Sequence, residues 1–237
     1  MKKETQTDKI KMNLPNKLTI LRIILVPVIV LVYMAGISYG SLYKTPVFSF
    51  WPNFSWLNFI VLVIFGIAAF TDYLDGAIAR KQGLVTNFGK FADPLADKLL
   101  VYTVFIIMLH QNYLNKITYG VSKLGSEKEI ADIFEWWMLV VVLAREFIVT
   151  GVRYMAATNN NVIAASKLGK AKTVAQYIAV VIVLMFGAVT RNSGPIHPIL
   201  LYLSKTALFV MLVLTILSGI DYVVKNKEVF YDKKGKK

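Results

Sequence analysis

Four aspartates stand where an apolar chain can least accommodate them. Asp72 and Asp75 close one apolar run, Asp93 and Asp97 open the next, and a short connection separates the two pairs. A charge near the bilayer centre costs at least about 2.5 kcal/mol even on a lenient scale, so carboxylates in such runs need compensation. At about 100° per residue, Asp72, Asp75, Gly76 and Ala79 share one helical face, with Arg80 roughly 80° from Asp72. Gly89, Asp93 and Asp97 do the same on the following helix, and the two helices are antiparallel neighbours. Carboxylates crowded in this way repel one another unless cations sit among them, and an all-oxygen donor set suits Mg²⁺ or Mn²⁺. Two such ions about 4 Å apart can hold a diphosphate and stabilise both the attacking and the leaving oxygen of an in-line displacement. Small Gly76, Ala79 and Gly89 leave room for a bulky charged ligand, and Arg80 offers a fork for a phosphate. A lone aspartate at the end of a span reads as a cap or an interfacial group. Four of them, with the glycines and Arg80, read as a site.

The elements that must carry these faces are membrane helices. The chain has 237 residues, 56% hydrophobic and 17% charged, with a mean hydropathy of +0.56, which excludes an ordinary water-soluble domain. Apolar stretches at 18–35, 57–80, 91–109, 136–156, 171–189 and 206–224 are each about long enough to cross the hydrocarbon layer as a helix. The expected fold is an all-α integral membrane protein, a single six-helix domain over 1–237, with polar cytoplasmic ends at 1–13 and 226–237. Residues 9–16 read as a short interfacial helix. The first span is too long for a signal peptide, and Pro27 kinks rather than ends it. Of the 27 Lys and Arg, 21 fall in the segments 1–22, 80–98, 145–172 and 225–237, at or near the two ends and the second and fourth connections, which places both termini and the acidic cluster on the cytoplasmic side of the cell membrane. Trp51, Trp56, Trp136 and Trp137 stand where interfacial anchors belong. The formal net charge of +13 reports orientation and attraction to anionic membrane lipid rather than nucleic acid. With no cysteine, disulfides, thiolate metal sites and cysteine nucleophiles are excluded. His110 and His197 fall on the face opposite the acids and read as interface residues.

The segment Asp72-Tyr-Leu-Asp75-Gly76-Ala-Ile-Ala79-Arg80, followed by Gly89, Asp93 and Asp97 at fixed spacing, resembles the signature of the CDP-alcohol phosphatidyltransferases at all eight of its fixed positions. The resemblance implies six membrane helices, two divalent cations (Mg²⁺ or Mn²⁺) and a homodimer. It implies that Asp72, Asp75 and Asp93 are metal ligands and that Asp97 is the general base near the second metal. By the same resemblance Gly76, Ala79 and Arg80 receive the CDP moiety, with Asp72, Gly89 and Asn16 contributing to the CDP-diacylglycerol site. Asn13-Leu-Pro-Asn16-Lys-Leu-Thr19-Ile-Leu-Arg22, Arg145-Glu146-Phe-Ile-Val-Thr-Gly-Val-Arg153 and Gly169-Lys170-Ala-Lys172-Thr173 are similar to blocks of the bacterial phosphatidylglycerophosphate synthases in that family. The long outer stretch 38–56 departs from the pattern, away from the site.

Arg145 and Glu146 sit roughly midway along an apolar helix, which is costly unless they face a cavity or a partner. Arg153 falls within about 80° of Arg145 on the same helix, so the two can line one cavity. Lys167 and Lys170 stand where the chain re-enters the membrane; with the two arginines they form a candidate acceptor-phosphate site. The bland alternatives are a structural ion pair for Arg145 and Glu146, and charge bias alone for the lysines. Lys167-Leu-Gly169-Lys170 lacks the first glycine and the Ser or Thr of a P-loop. The 111–135 connection reads as an outer loop without chemistry. The expected reaction is transfer of a phosphatidyl group from CDP-diacylglycerol to glycerol 3-phosphate, releasing CMP. Another acceptor, such as phosphatidylglycerol or an inositol phosphate, is the alternative within the family. A divalent-cation transporter fits less well, because its acids would lie at the midplane between repeated halves.

Overall fold

The structure, a computed structural model, describes residues 14–48, 51–82, 87–120, 133–158, 163, 166–186 and 197–230. The expected interfacial helix at 9–16 falls outside them up to residue 13, and so do the last residues of the polar tail. From Leu14 the chain is already helical: α1 (Leu14–Tyr39) runs through Pro27 and ends at Gly40, whose φ of 64° is a left-handed conformation suited to glycine. A short α2 (Ser41–Lys44) follows, then an antiparallel hairpin of β1 (Pro46–Phe48) and β2 (Trp51–Ser55), with Pro46 opposite Ser55 and Phe48 opposite Trp51. The remaining long helices are α3 (Trp56–Gln82), α4 (Asn87–Gly120), α5 (Trp136–Thr158), α6 (Lys167–Phe186) and α7 (His197–Lys225), closed by a 3₁₀ turn at Lys227–Phe230.

Two helices run more than two turns beyond one end of the apolar stretches that mark them. α4 continues past Leu109 to Gly120, because the polar residues there find partners inside the bundle and no breaker intervenes. Gln111 is buried; its Nε2 donates to Asn58 Oδ1 at 2.6 Å, and Asn58 Nδ2 donates to the Leu184 carbonyl at 3.2 Å. This chain of amides ties α4, α3 and α6 together where no water competes. The other is α7, which begins at His197 with Pro198 in its first turn, where a missing N–H costs nothing. Replacing Asn58 with Leu strands the Gln111 amide and the Leu184 carbonyl at once. The expected cost is about 2 kcal/mol, read as a lower Tm of the detergent-solubilised protein; an unchanged Tm would show that the amide chain contributes nothing.

α1 lies along α3 and α4, while α5 and α6 pack against α7, and α6 bridges back to α3 and α4. One apolar cluster runs through all of this, including Ile29, Leu57, Phe65, Leu100, Phe105 and Met211. Gly36 allows a close approach of α1 to α3, since a methyl there would fall 2.4 Å from Leu57 Cδ1. The outer surface is apolar as well, with Leu31, Phe70, Phe147 and Phe209 exposed, as expected of helices facing lipid. Among the described residues, four helices are long and apolar enough to cross a membrane: Asn16–Tyr39, Trp56–Gly76, Lys167–Phe186 and Ile199–Lys225. The chain is a multi-pass membrane protein. α4 and α5, with 34 and 23 residues, have the length but carry charged side chains in their apolar stretches.

Candidate active site

Three side chains hold the four aspartates, and three of the four contacts come from α1. Arg22 is fully buried between α1 and α3, with one terminal nitrogen 2.8 Å from Asp72 Oδ1 and the other 2.6 Å from Asp75 Oδ2. Thr19, one turn earlier on the same face of α1, donates its hydroxyl to Asp93 Oδ1. On the far side, the Tyr177 hydroxyl of α6 donates to Asp97 Oδ1. Asp72 lies within electrostatic reach of the other three carboxylates, so α3 and α4 do converge as their spacing predicts. Asn16 is buried one turn before Thr19, Gly76 follows Asp75 on α3, and Gly89 is buried at the start of α4. Ala79 and Arg80 belong to α3, but their side chains fall outside what is described.

Arg22 offsets one negative charge of four. Each contact named above uses one oxygen of its carboxylate, and a carboxylate has two, with about four lone-pair directions. Among the described residues no three such ligands gather tightly enough to form a finished metal cage as they sit. The chemistry of the donors nevertheless fits hard divalent cations: aspartate oxygens alone, in two pairs on facing helices, with a residual negative charge.

Beside the acids opens a cavity of about 780 Å³. Asp72 and Asp97 border it on one side, and Arg145, Arg153, Lys170 and Lys172 on the other. Arg145 and Lys172 are pinned by the buried Glu146, which binds Arg145 at 2.9 Å and Lys172 more closely, with Lys98 at 3.5 Å on its other oxygen. Arg145 Nε also donates to Ser218 on α7 at 3.1 Å, and its stem runs over Gly219, where a Cβ would come within 3.0 Å of it. Arg153 donates through Nε to the Tyr222 hydroxyl at 3.0 Å, with its guanidinium 5.4 Å from the centre of that ring, so its terminal nitrogens stay outside this bond. Arg145, Arg153 and Lys170 are thus brought to the acids. Lys167 is not: it lines a separate cavity of about 380 Å³ with Asp221 and Lys225. Away from both cavities, His110 pairs through Nδ1 with the Tyr33 hydroxyl at 3.1 Å.

A signature spread over α3 and α4, with cations facing it from α5 and α6, is one that a family would share along most of its length. Residues 12–217 match the family model of the CDP-alcohol phosphatidyltransferases. The chain belongs to that family. A CDP-diacylglycerol–glycerol-3-phosphate 3-phosphatidyltransferase of Bacillus subtilis is 37% identical over 216 residues, covering 91% of this chain and 96% of the relative. Relatives of the same name are 33% identical over 222 residues in Rickettsia felis, covering 94% and 99%, and 31% identical over 172 residues in Salmonella choleraesuis, covering 70% and 74%. As a CDP-alcohol phosphatidyltransferase, the chain places Arg22, Thr19, Tyr177 and Lys172 in or against the site, none of which spacing alone had assigned a role there. For Arg22 and Lys172 a signal existed, since each is a charge within an apolar helix. The hydroxyls of Thr19 and Tyr177 carry none.

Proposed function

We propose that the chain transfers the phosphatidyl group of CDP-diacylglycerol to glycerol 3-phosphate, forming phosphatidylglycerophosphate and CMP. The observation that carries this reading is the single cavity joining Asp72 and Asp97 to Arg145, Arg153 and Lys170, because cations beyond those needed for a diphosphate call for a second anion. Asp72, Asp75, Asp93 and Asp97 would hold two divalent cations, Mg²⁺ or Mn²⁺, which when bound neutralise the diphosphate and polarise the phosphoryl group under attack. Asn16, Gly76, Ala79, Arg80 and Gly89, with Asp72, receive the CDP-diacylglycerol headgroup. Arg145, Arg153 and Lys170 grip the phosphate of the acceptor, while Glu146 keeps Arg145 and Lys172 from collapsing onto the acids. Asp97, oriented by Tyr177, takes the proton of the acceptor's 1-hydroxyl as its oxygen bonds to the phosphorus bearing diacylglycerol. The bond from that phosphorus to the CMP oxygen breaks, and CMP departs with the electron pair.

Arg153→Ala tests this directly. Loss of one charge-assisted contact to phosphate is expected to cost about 2 kcal/mol, roughly thirtyfold in the KM for glycerol 3-phosphate, with the KM for CDP-diacylglycerol little changed. An unchanged acceptor KM would move the phosphate site elsewhere.

The same reading takes all six long helices as spans of one domain in the plasma membrane, in a homodimer, with both termini and the active site facing the cytoplasm. The partition of basic residues supports it, because CDP-diacylglycerol and its CMP product belong to the nucleotide-bearing side. Cysteines introduced at Lys81 and Lys170 are expected to react with an impermeant reagent only from inside the cell, and one at Lys123 only from outside. Labelling of the Lys81 position from outside would reverse the orientation.

A further inference from the structure

Two buried polar atoms on the cavity wall have no hydrogen-bond partner among the described residues: the Tyr102 hydroxyl of α4 and Nε2 of Gln176 on α6. Gln176 is only 3% exposed. An unpaired buried donor is costly in a membrane bundle, and the Asn58–Gln111–Leu184 chain shows how this fold satisfies amides that serve structure alone. Tyr102 lies one turn deeper than Lys98 on the same face of α4, and Gln176 one turn beyond Lys172 on the same face of α6. Both therefore sit at the inner end of a cavity whose mouth carries Arg153 and Lys170, about 9 Å from Lys170 to Gln176 along the helix axis. Tyr102 is within electrostatic reach of Arg145, Glu146 and Asp97, and Gln176 precedes the tyrosine that orients Asp97.

Resting on the reaction proposed above, the acceptor brings three polar groups into this cavity. Its phosphate meets the cations and its 1-hydroxyl meets Asp97. The 2-hydroxyl, with one donor and two lone pairs, has no role in the chemistry and needs partners of its own. We infer that Gln176 Nε2 and the Tyr102 hydroxyl receive this 2-hydroxyl, and that the pair selects a vicinal-diol phosphate over a phosphate with a single hydroxyl. A site built to bind a hydroxyl rejects an analogue lacking it, because its buried donors are then left unpaired.

The test compares glycerol 3-phosphate with 3-hydroxypropyl phosphate, which lacks only the 2-hydroxyl, as acceptors for CMP release by the wild type, Gln176→Leu and Tyr102→Phe. The wild type is expected to favour glycerol 3-phosphate at least about a hundredfold in kcat/KM. Each substitution should lower kcat/KM for glycerol 3-phosphate about tenfold or more while changing that for 3-hydroxypropyl phosphate less than about threefold, so the preference collapses. The KM for CDP-diacylglycerol should stay put. Equal losses on both acceptors, or a preference retained in the variants, overturn the inference and leave Gln176 and Tyr102 as packing residues. Tyr102→Phe keeps the ring and decides the matter alone if Gln176→Leu fails to fold. A wild type inactive with glycerol 3-phosphate overturns the proposed reaction and this inference together; one active with it but indifferent to the 2-hydroxyl overturns this inference only.

Discussion

Asp97→Asn is expected to lower kcat by about 10³-fold while leaving CDP-diacylglycerol bound. The substitution is nearly isosteric, and its carbonyl oxygen still accepts the hydrogen bond that Tyr177 donates, so the position keeps its shape and loses its basicity. Equilibrium binding of CDP-diacylglycerol separates the two functions assigned to this residue. Retained binding with lost turnover identifies a base; lost binding reduces Asp97 to a metal-holding group. Asp72→Asn, Asp75→Asn and Asp93→Asn are expected to abolish activity through the metal site instead, and full activity in excess chelator would contradict any divalent-cation role for the four carboxylates.

Arg22→Met removes the buried cation that bridges Asp72 and Asp75. Breaking a buried pair from one side leaves uncompensated charge in the interior, and a loss of about 3–5 kcal/mol is expected, with turnover lost as well. Arg22→Lys keeps the charge but not the fork that reaches two carboxylates at once, so it should fall between the wild type and Arg22→Met. Divalent cations offer the stranded aspartates a second source of compensation, so added Mg²⁺ is expected to raise the Tm of Arg22→Met more than that of the wild type. A variant with wild-type Tm and turnover would remove Arg22 from the site.

The acidic cluster is legible in the chain because helical spacing alone aligns it: Asp75 stands three positions after Asp72, Asp97 four positions after Asp93, and the connection is too short to let the helices part. Arg145 and Glu146 are legible for a different reason, the cost of charge within an apolar run. That reasoning applies equally to Arg22, yet its place near the N-terminus makes it look like one more basic residue on the cytoplasmic side. Tyr177 and Gln176 give no such warning. A hydroxyl or an amide is tolerated on many helices, and the pairing of Tyr177 with Asp97 spans 80 positions, a distance that only the packing of α6 on α4 closes. Lys167 and Lys170 look equivalent in sequence, being one turn apart, but the first turn of α6 lies between two cavities and sends them to different ones. The hairpin of β1 and β2 falls in the outer stretch 38–56, outside every apolar run that marks a span.

The most direct test of an anionic acceptor in the cavity beside the aspartates is CMP release from CDP-diacylglycerol by the purified protein in Mg²⁺, with glycerol 3-phosphate and plain glycerol compared at equal concentration. Release with glycerol 3-phosphate and none above background with glycerol is the expected result. Equal rates with the two would mean that Arg145, Arg153 and Lys170 bind no acceptor phosphate, and would contradict the proposed reaction.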